Sequence, residues 1–332
     1  MKVARLHAPG DLRVANEHTP VPQGGEELLR VTAVGICGSD LHWFGVGGIG
    51  DAALDHPLVL GHEIGGTVAS GPRAGQRVAV DPSVPCWACA ACRRGNPNLC
   101  TRVVFAGYGG TDGGLREHMT WPADRLHPVP DSLSDQALPM LEPLGVALHA
   151  LDLTHPRYGE TIGIVGCGPI GVIAVQLAQL AAARPVLAVE PLAHRRAMAA
   201  EFGAVAVPPE EAVTEAASMS GGEGLDAAIE VAGTDDAVQC GIDVVRPGGR
   251  LVLAGIPDND RTSFIASSAR RKGLTIAMSR RMREVYPRAI AFVSSKRVDL
   301  DAVITHQFPL EDAATALRSA SERHTGKVII LP

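Results

Sequence analysis

The stretch "ETIGIVGCGPIGVIAVQLAQLAAARPVLAVE", residues 160–190, constrains the fold more than any other segment because its hydrophobic period changes twice. Ile162 to Val165 is a short apolar strand, Gly171 to Ala182 has helical spacing, and Val186 to Val189 is a second β-branched run. Strand, helix and strand in this order make a βαβ unit with parallel strands. Its first turn carries Gly166-x-Gly168-x-x-Gly171, with Pro169 and Ile170 filling the gap. Glycine at these positions lets the backbone turn sharply, approach a pyrophosphate and pack the helix against the sheet. Glu190 follows about 20 residues later, where an acid accepts both ribose hydroxyls and repels a 2′-phosphate. NAD is therefore expected over NADP. Arg195 and Arg196 argue mildly the other way, and Arg195 is assigned to the cofactor site.

Further apolar strands at 226–233 and 249–256 extend the pattern, the second introduced by Arg246-Pro247-Gly248. Its end, Ala254-Gly255-Ile256, is also placed at the cofactor. The alternating order predicts an α/β fold built on a doubly wound parallel sheet. Thr161 to Ala183 carries no charge over 23 residues, long enough to cross a bilayer. The Gly166-Cys167-Gly168-Pro169 break and the two glutamines beyond it argue against a membrane span.

A chain of 332 residues, 46% hydrophobic, has room for two domains with proper cores. A net charge of -6 with interspersed signs gives no field for a nucleic-acid backbone or an anionic membrane. The N-terminus acquires charge and proline at once, without an apolar core of signal-peptide length, so a cytoplasmic protein is expected. Seven cysteines, an odd number, fit that reading better than a disulfide scaffold.

Four of them, Cys86, Cys89, Cys92 and Cys100, form C-x2-C-x2-C-x7-C. Four thiolates this close converge on one zinc ion in a closed, structural site. A redox pair would need only two, and a nucleic-acid ribbon would bring more basic and aromatic neighbours.

Cys37, Ser39, Asp40 and His42 lie within six positions, and His62-Glu63 follow an apolar strand. A thiolate, an imidazole and a carboxylate are ligands zinc accepts with a position left open, the mark of a catalytic site. Alone, such residues are more often structural, and Ser39-Asp40 also reads as a helix cap. The company of a zinc loop and a dinucleotide fold shifts the balance towards metal.

With "GICGSDLHWF", "VLGHE", the four-cysteine loop, "EPLGVALHA", "GCGPIG" and "THQFPLEDA" in this order, the chain resembles the zinc-containing medium-chain dehydrogenase/reductase family. Within it, the chain resembles the polyol (sorbitol or L-iditol) and L-idonate dehydrogenase branch. The resemblance implies a GroES-like β-barrel catalytic domain over 1–146 and 281–332, with the structural zinc loop 86–100, and a Rossmann domain over 147–280 inserted between. It assigns Cys37, His62 and Glu63 to a catalytic zinc. No cysteine lies between Cys100 and Cys167, so the second thiolate of the alcohol dehydrogenase branch is missing. Glu142 matches the glutamate that polyol dehydrogenases place beside the metal, directly or through water.

The resemblance also assigns a proton relay to Ser39 and His42, and substrate contacts to Arg281 and Trp43, the latter equally readable as core. Met282 replaces a tyrosine often found there, which removes a hydrogen-bond donor. The implied reaction is hydride transfer from a secondary alcohol of sugar-alcohol type to NAD, giving the ketone, in a homotetramer or homodimer. Two alternatives accompany it: an aldonate, vicinal diol or threonine-like substrate, and a non-catalytic zinc-stabilised NAD sensor. His149 reads as a satisfied, half-buried histidine, and the glycine-rich 107–118 as a turn leading into a strand.

Overall fold

The computed structural model describes residues 1–181 and 185–332. The chain forms two compact units, Met1–Pro143 with Tyr286–Pro332, and Leu144–Val285. Their boundaries fall at 143/144 and 285/286, against 146/147 and 280/281 read from the sequence.

The first unit is built on a seven-stranded sheet. Its order is Leu126–Pro128, Arg77–Val80, Glu63–Val68, Glu26–Gly35, Lys327–Leu331, Ile304–Pro309, with His118–Pro122 also pairing with Glu26–Gly35. In Glu26–Gly35 the residues Leu29, Val31 and Ala33 are buried, the period-2 pattern of a strand with one face on a core. That core gathers Leu29, Val31, Ile64, Val78, Val80 and Ile330. The glycine-rich 107–118 leads into strand His118–Pro122.

Register decides what meets at one end of this sheet. Gly35 pairs with Glu63 on one side and with Ile329 on the other. The Ile36 N–H bonds the Val328 carbonyl at 3.0 Å. Cys37, immediately before helix Gly38–Val46, and Lys327, the first residue of the last strand, are thereby drawn to Glu63.

The second unit holds six strands, all parallel, in the order Val205–Val207, Leu187–Val189, Ile162–Val165, Leu225–Glu230, Val245–Leu253, Thr275–Met278. Numbered along the chain this is the 3-2-1-4-5-6 order of a doubly wound dinucleotide fold. Strand Ile162–Val165 lies where its apolar run placed it. The helix begins at Pro169, two residues before Gly171, because proline is pre-shaped for a first helical turn and needs no N–H partner there. Its expected end at Ala182 lies outside the described residues. Among the described residues no helix is long and apolar enough to cross a membrane.

Strand Val245–Leu253 absorbs Arg246-Pro247-Gly248, which had read as a turn before the strand. Leu225 pairs with Val245 and Ala227 with Arg250. The register shift between them bulges out Pro247, which has no N–H to give the ladder.

Candidate active site

Cys37 Sγ, a His62 ring nitrogen and a Glu63 carboxylate oxygen lie within 4.8 Å of one another, with His62 and Glu63 buried. The orientation of His62 follows from its neighbours. Asp40 Oδ1 is 3.5 Å from Nδ1, and Ser39 Oγ is 3.5 Å from Nε2. Asp40 thus faces one ring nitrogen and leaves the other to the group, as a carboxylate behind a metal-binding histidine does. Its Oδ2 also accepts the Cys37 N–H at 2.9 Å and its Oδ1 the Gly61 N–H at 3.1 Å. The helix-cap reading of Asp40 was therefore incomplete, since one side chain caps the helix and holds two of the three ligand-bearing segments. Burial raises the Asp40 carboxyl, but His62 and these N–H groups outweigh it and keep it below its ordinary value. Burial likewise opposes charge on His62, and Asp40 and Cys37 outweigh it, raising the imidazole well above its usual range. A site this electronegative favours a cation.

Sequence reasoning missed Lys327. It is 3% exposed, and its Nζ meets Glu63 Oε1 at 2.5 Å, across 264 positions of sequence. Glu63 Oε2 is buried and receives no hydrogen bond. Room for the pair comes from Gly35, where a Cβ would lie 1.9 Å from Glu63 Oε2 and 3.0 Å from Lys327 Cε. Only the bare glycine lets the carboxylate lie over the strand. Glu142 stands outside the three-ligand group. It is buried on helix Leu141–Leu153, and burial, then Glu63, push its carboxyl up to about 7 against the pull of His62 and Lys327. A thiolate, an imidazole and a carboxylate with an unbonded oxygen, in an electronegative pocket, fit zinc.

The four-cysteine loop is equally compact, with all four Sγ atoms within 4.8 Å of one another. Backbone N–H groups already point at the sulfurs: Cys89 N to Cys86 Sγ at 3.3 Å, Cys86 N to Cys100 Sγ at 3.3 Å, and Arg102 N to Cys100 Sγ at 3.4 Å. These donors favour thiolates. The N–H of Ala88 leads in lowering Cys86 to about 7, and the N–H groups at Cys92 and Thr101 lower Cys89 to about 5. Trp87 is held in the left-handed region at φ 53° with the Arg125 guanidinium 5.3 Å from its ring centroid, a cation–π contact.

At the glycine turn of the second unit, Gly166 has φ 98° and a Cβ on Gly171 would lie 1.9 Å from the Gly166 carbonyl oxygen. The third glycine is what lets the helix close on the strand. Glu190 is 4% exposed. It accepts the Cys167 N–H at 2.8 Å and the Leu192 N–H at 3.1 Å. Each carboxylate oxygen has a second lone pair to offer a ribose hydroxyl. Arg196 Nη1 donates to the carbonyls of Glu190 and Pro191 at 2.8 and 2.7 Å, which holds this guanidinium at the end of the second strand. Arg195 Nη1 lies 3.7 Å from where a Cβ on Gly168 would be, over the turn itself. A tight turn at a helix N-terminus with an acid at the neighbouring strand end fits a dinucleotide.

The remaining residues separate. Ser39 and His42 are half-buried on helix Gly38–Val46. Trp43 is 2% exposed within the core of the first unit, edge-on to Tyr108 at 5.6 Å, so its bulk anchors that helix. Arg281 lies in the second unit with φ 52°. Met282 is buried with its sulfur against Gly145, a packing role for the residue at the tyrosine position. His149, 4% exposed, belongs to neither ligand group.

An open three-ligand metal site, a closed four-thiolate site and a 3-2-1-4-5-6 parallel sheet with an acid beyond its glycine turn define a zinc- and nicotinamide-dependent dehydrogenase. Residues 23–131 match the family described as the alcohol dehydrogenase GroES-like domain, and 169–295 that described as zinc-binding dehydrogenase. Sorbitol dehydrogenase of Bacillus subtilis is 32% identical over 100% of this chain and 97% of its own. L-threonine 3-dehydrogenase of the same organism is 31% identical over 94% and 93%. The crystal structure of L-idonate 5-dehydrogenase from Escherichia coli superposes with a TM-score of 0.91 at 26% identity, covering 100% of this chain and 98% of that one. The chain belongs to the zinc-containing medium-chain dehydrogenase/reductase family, and it is an alcohol oxidoreductase.

Proposed function

We propose that the chain oxidises a secondary alcohol of polyol type to the ketone, using NAD. The observation that carries this reading is the Cys37–His62–Glu63 group with buried Glu142 nearby and Lys327 balancing the acids. When bound at these residues and at the glycine turn, zinc supplies the Lewis acidity that acidifies a hydroxyl, and the nicotinamide supplies the hydride acceptor.

The side chains prepare and clear the site. Asp40 fixes the His62 ring, and Lys327 holds one oxygen of Glu63. Ser39 Oγ, beside His62 Nε2, takes the proton leaving the alcohol, and His42 passes it towards solvent. Glu142, which holds a proton more readily than an ordinary carboxyl, acts through water next to the metal ligands. Arg281 is assigned to substrate hydroxyls on the family resemblance.

Glu190 favours NAD, since its carboxylate would repel a 2′-phosphate. Seven cysteines, none of them paired in a disulfide, suit a cytoplasmic setting. The edge position of Thr275–Met278 in its sheet, with Met278 exposed, suits assembly into a homodimer or homotetramer.

The test is NADH formation by the zinc-loaded protein with sorbitol, xylitol, L-idonate, 2,3-butanediol, L-threonine and ethanol. A rate confined to polyhydroxylated substrates supports the reading. Preference for L-threonine or ethanol contradicts it, and NAD binding with no turnover on any of them favours the sensor.

A further inference from the structure

Glu230 ends strand Leu225–Glu230 with 1% of its surface exposed, and nothing in the chemistry above uses it. Its Oε1 accepts the N–H groups of Ala232 and Gly233, both at 2.6 Å. Its main-chain carbonyl accepts Ala254 N–H at 2.8 Å and Gly255 N–H at 3.1 Å. One residue therefore ties the loop after its own strand to the end of the neighbouring strand Val245–Leu253.

The joint is tight. A Cβ on Gly255 would lie 2.2 Å from Gly233 N and 2.9 Å from Glu230 Oε2. One on Gly233, where φ is 73°, would lie 2.4 Å from the Ile256 carbonyl oxygen. On its other side the loop meets the glycine turn, since a Cβ on Gly166 would be 3.0 Å from Ala232 N. The strand order gives this joint its meaning. Glu190 and the glycine turn place the adenosine half of a dinucleotide over strands Leu187–Val189 and Ile162–Val165, and ligands of such sheets bind outside the carboxyl ends of the strands. The other half then runs to the ends of Leu225–Glu230 and Val245–Leu253, where Glu230 sits.

We propose that Glu230 is a positioning residue for the nicotinamide half of the cofactor, its buried carboxylate fixing the 231–233 loop in the shape that receives it. This rests on the dinucleotide reading of the second unit. A carboxylate suits the task because it is acceptor-only and binds several N–H groups at once, with charge-assisted strength. Glutamine would keep the shape but lose the charge that strengthens these bonds.

The test compares NADH with ADP-ribose, which lacks the nicotinamide, by fluorescence or calorimetric titration of the zinc-loaded wild type, Glu230→Gln and Glu230→Ala. NADH affinity should fall roughly tenfold or more, the equivalent of one lost charge-assisted hydrogen bond, while ADP-ribose affinity changes by less than about twofold. Equal weakening of both ligands, or unchanged NADH affinity, overturns the proposal. If Glu230→Ala does not fold, the isosteric Glu230→Gln carries the same comparison. A wild type that binds neither ligand refutes the dinucleotide reading itself.

Discussion

Replacing Lys327 by methionine removes the ammonium bonded to Glu63 while keeping most of the apolar stem. Both side chains are nearly fully buried, at 3% and 1% exposed. Breaking such a pair from one side strands a charge in a low-dielectric interior, at about 3–5 kcal/mol. For a unit of this size that is roughly 6–20 °C of melting temperature, at 2–4 °C per kcal/mol. A zinc ion held by Glu63 would take over part of the compensation, so the loss should be largest in chelator-treated protein and smaller when zinc is saturating. Differential scanning calorimetry of both forms, with Glu63→Gln/Lys327→Met as the coupled control, measures it. The double variant should recover part of the loss, because it removes the stranded charge with its partner. Equal melting temperatures for Lys327→Met and wild type in the chelated form would refute the account of the pair.

Three further outcomes are expected. His127 stacks on Tyr286 at 4.3 Å with Nε2 buried and unbonded, and burial, helped by Arg125, lowers its pKa from 6.5 to about 4. The folded state then binds fewer protons than the unfolded state, so stability is full above pH 6.5 and falls as pH drops towards 4. At about 1.4 kcal/mol per unit, discounted for a partly exposed ring, the loss is about 2 kcal/mol. Denaturant titrations across that window should show it, and His127→Phe should flatten it. Glu190→Ala should weaken NAD roughly tenfold, as expected for lost ribose hydrogen bonds, and narrow the gap with NADP; an unchanged ratio of the two affinities removes Glu190 from the ribose site. Cys86→Ser should halve zinc content by elemental analysis and lower the melting temperature by several degrees, on the scale of a lost structural metal; two zinc ions retained per chain would contradict the closed four-thiolate site.

How much the sequence reveals depends on whether a feature is local. The glycine turn, its strand and its helix are legible because hydrophobic period and spacing sit in one contiguous stretch, and the four cysteines because their ligand geometry is short-range. Lys327 is illegible for the opposite reason. In "KVIIL" it is a lone cation at the start of an apolar strand, and only the register of Gly35 with Glu63 and Ile329 gives it a partner. Asp40 read as a cap because that role needs three residues of sequence, while its hold on His62 needs the fold. The strand expected over 226–233 stops at Glu230, where the side chain captures the N–H groups that would have continued the ladder. Trp43 was ambiguous between pocket and core, since both want a large ring and only burial separates them.

The central claim is that alcohol oxidation depends on the metal held by Cys37, His62 and Glu63. The most direct measurement follows NADH formation at 340 nm with a polyol substrate, after chelation and again after zinc is restored, in wild type and His62→Ala. Loss on chelation, recovery with zinc in the wild type alone, and intact NADH binding in both proteins are the predicted results. Turnover by His62→Ala, or by metal-free wild type, would contradict the account.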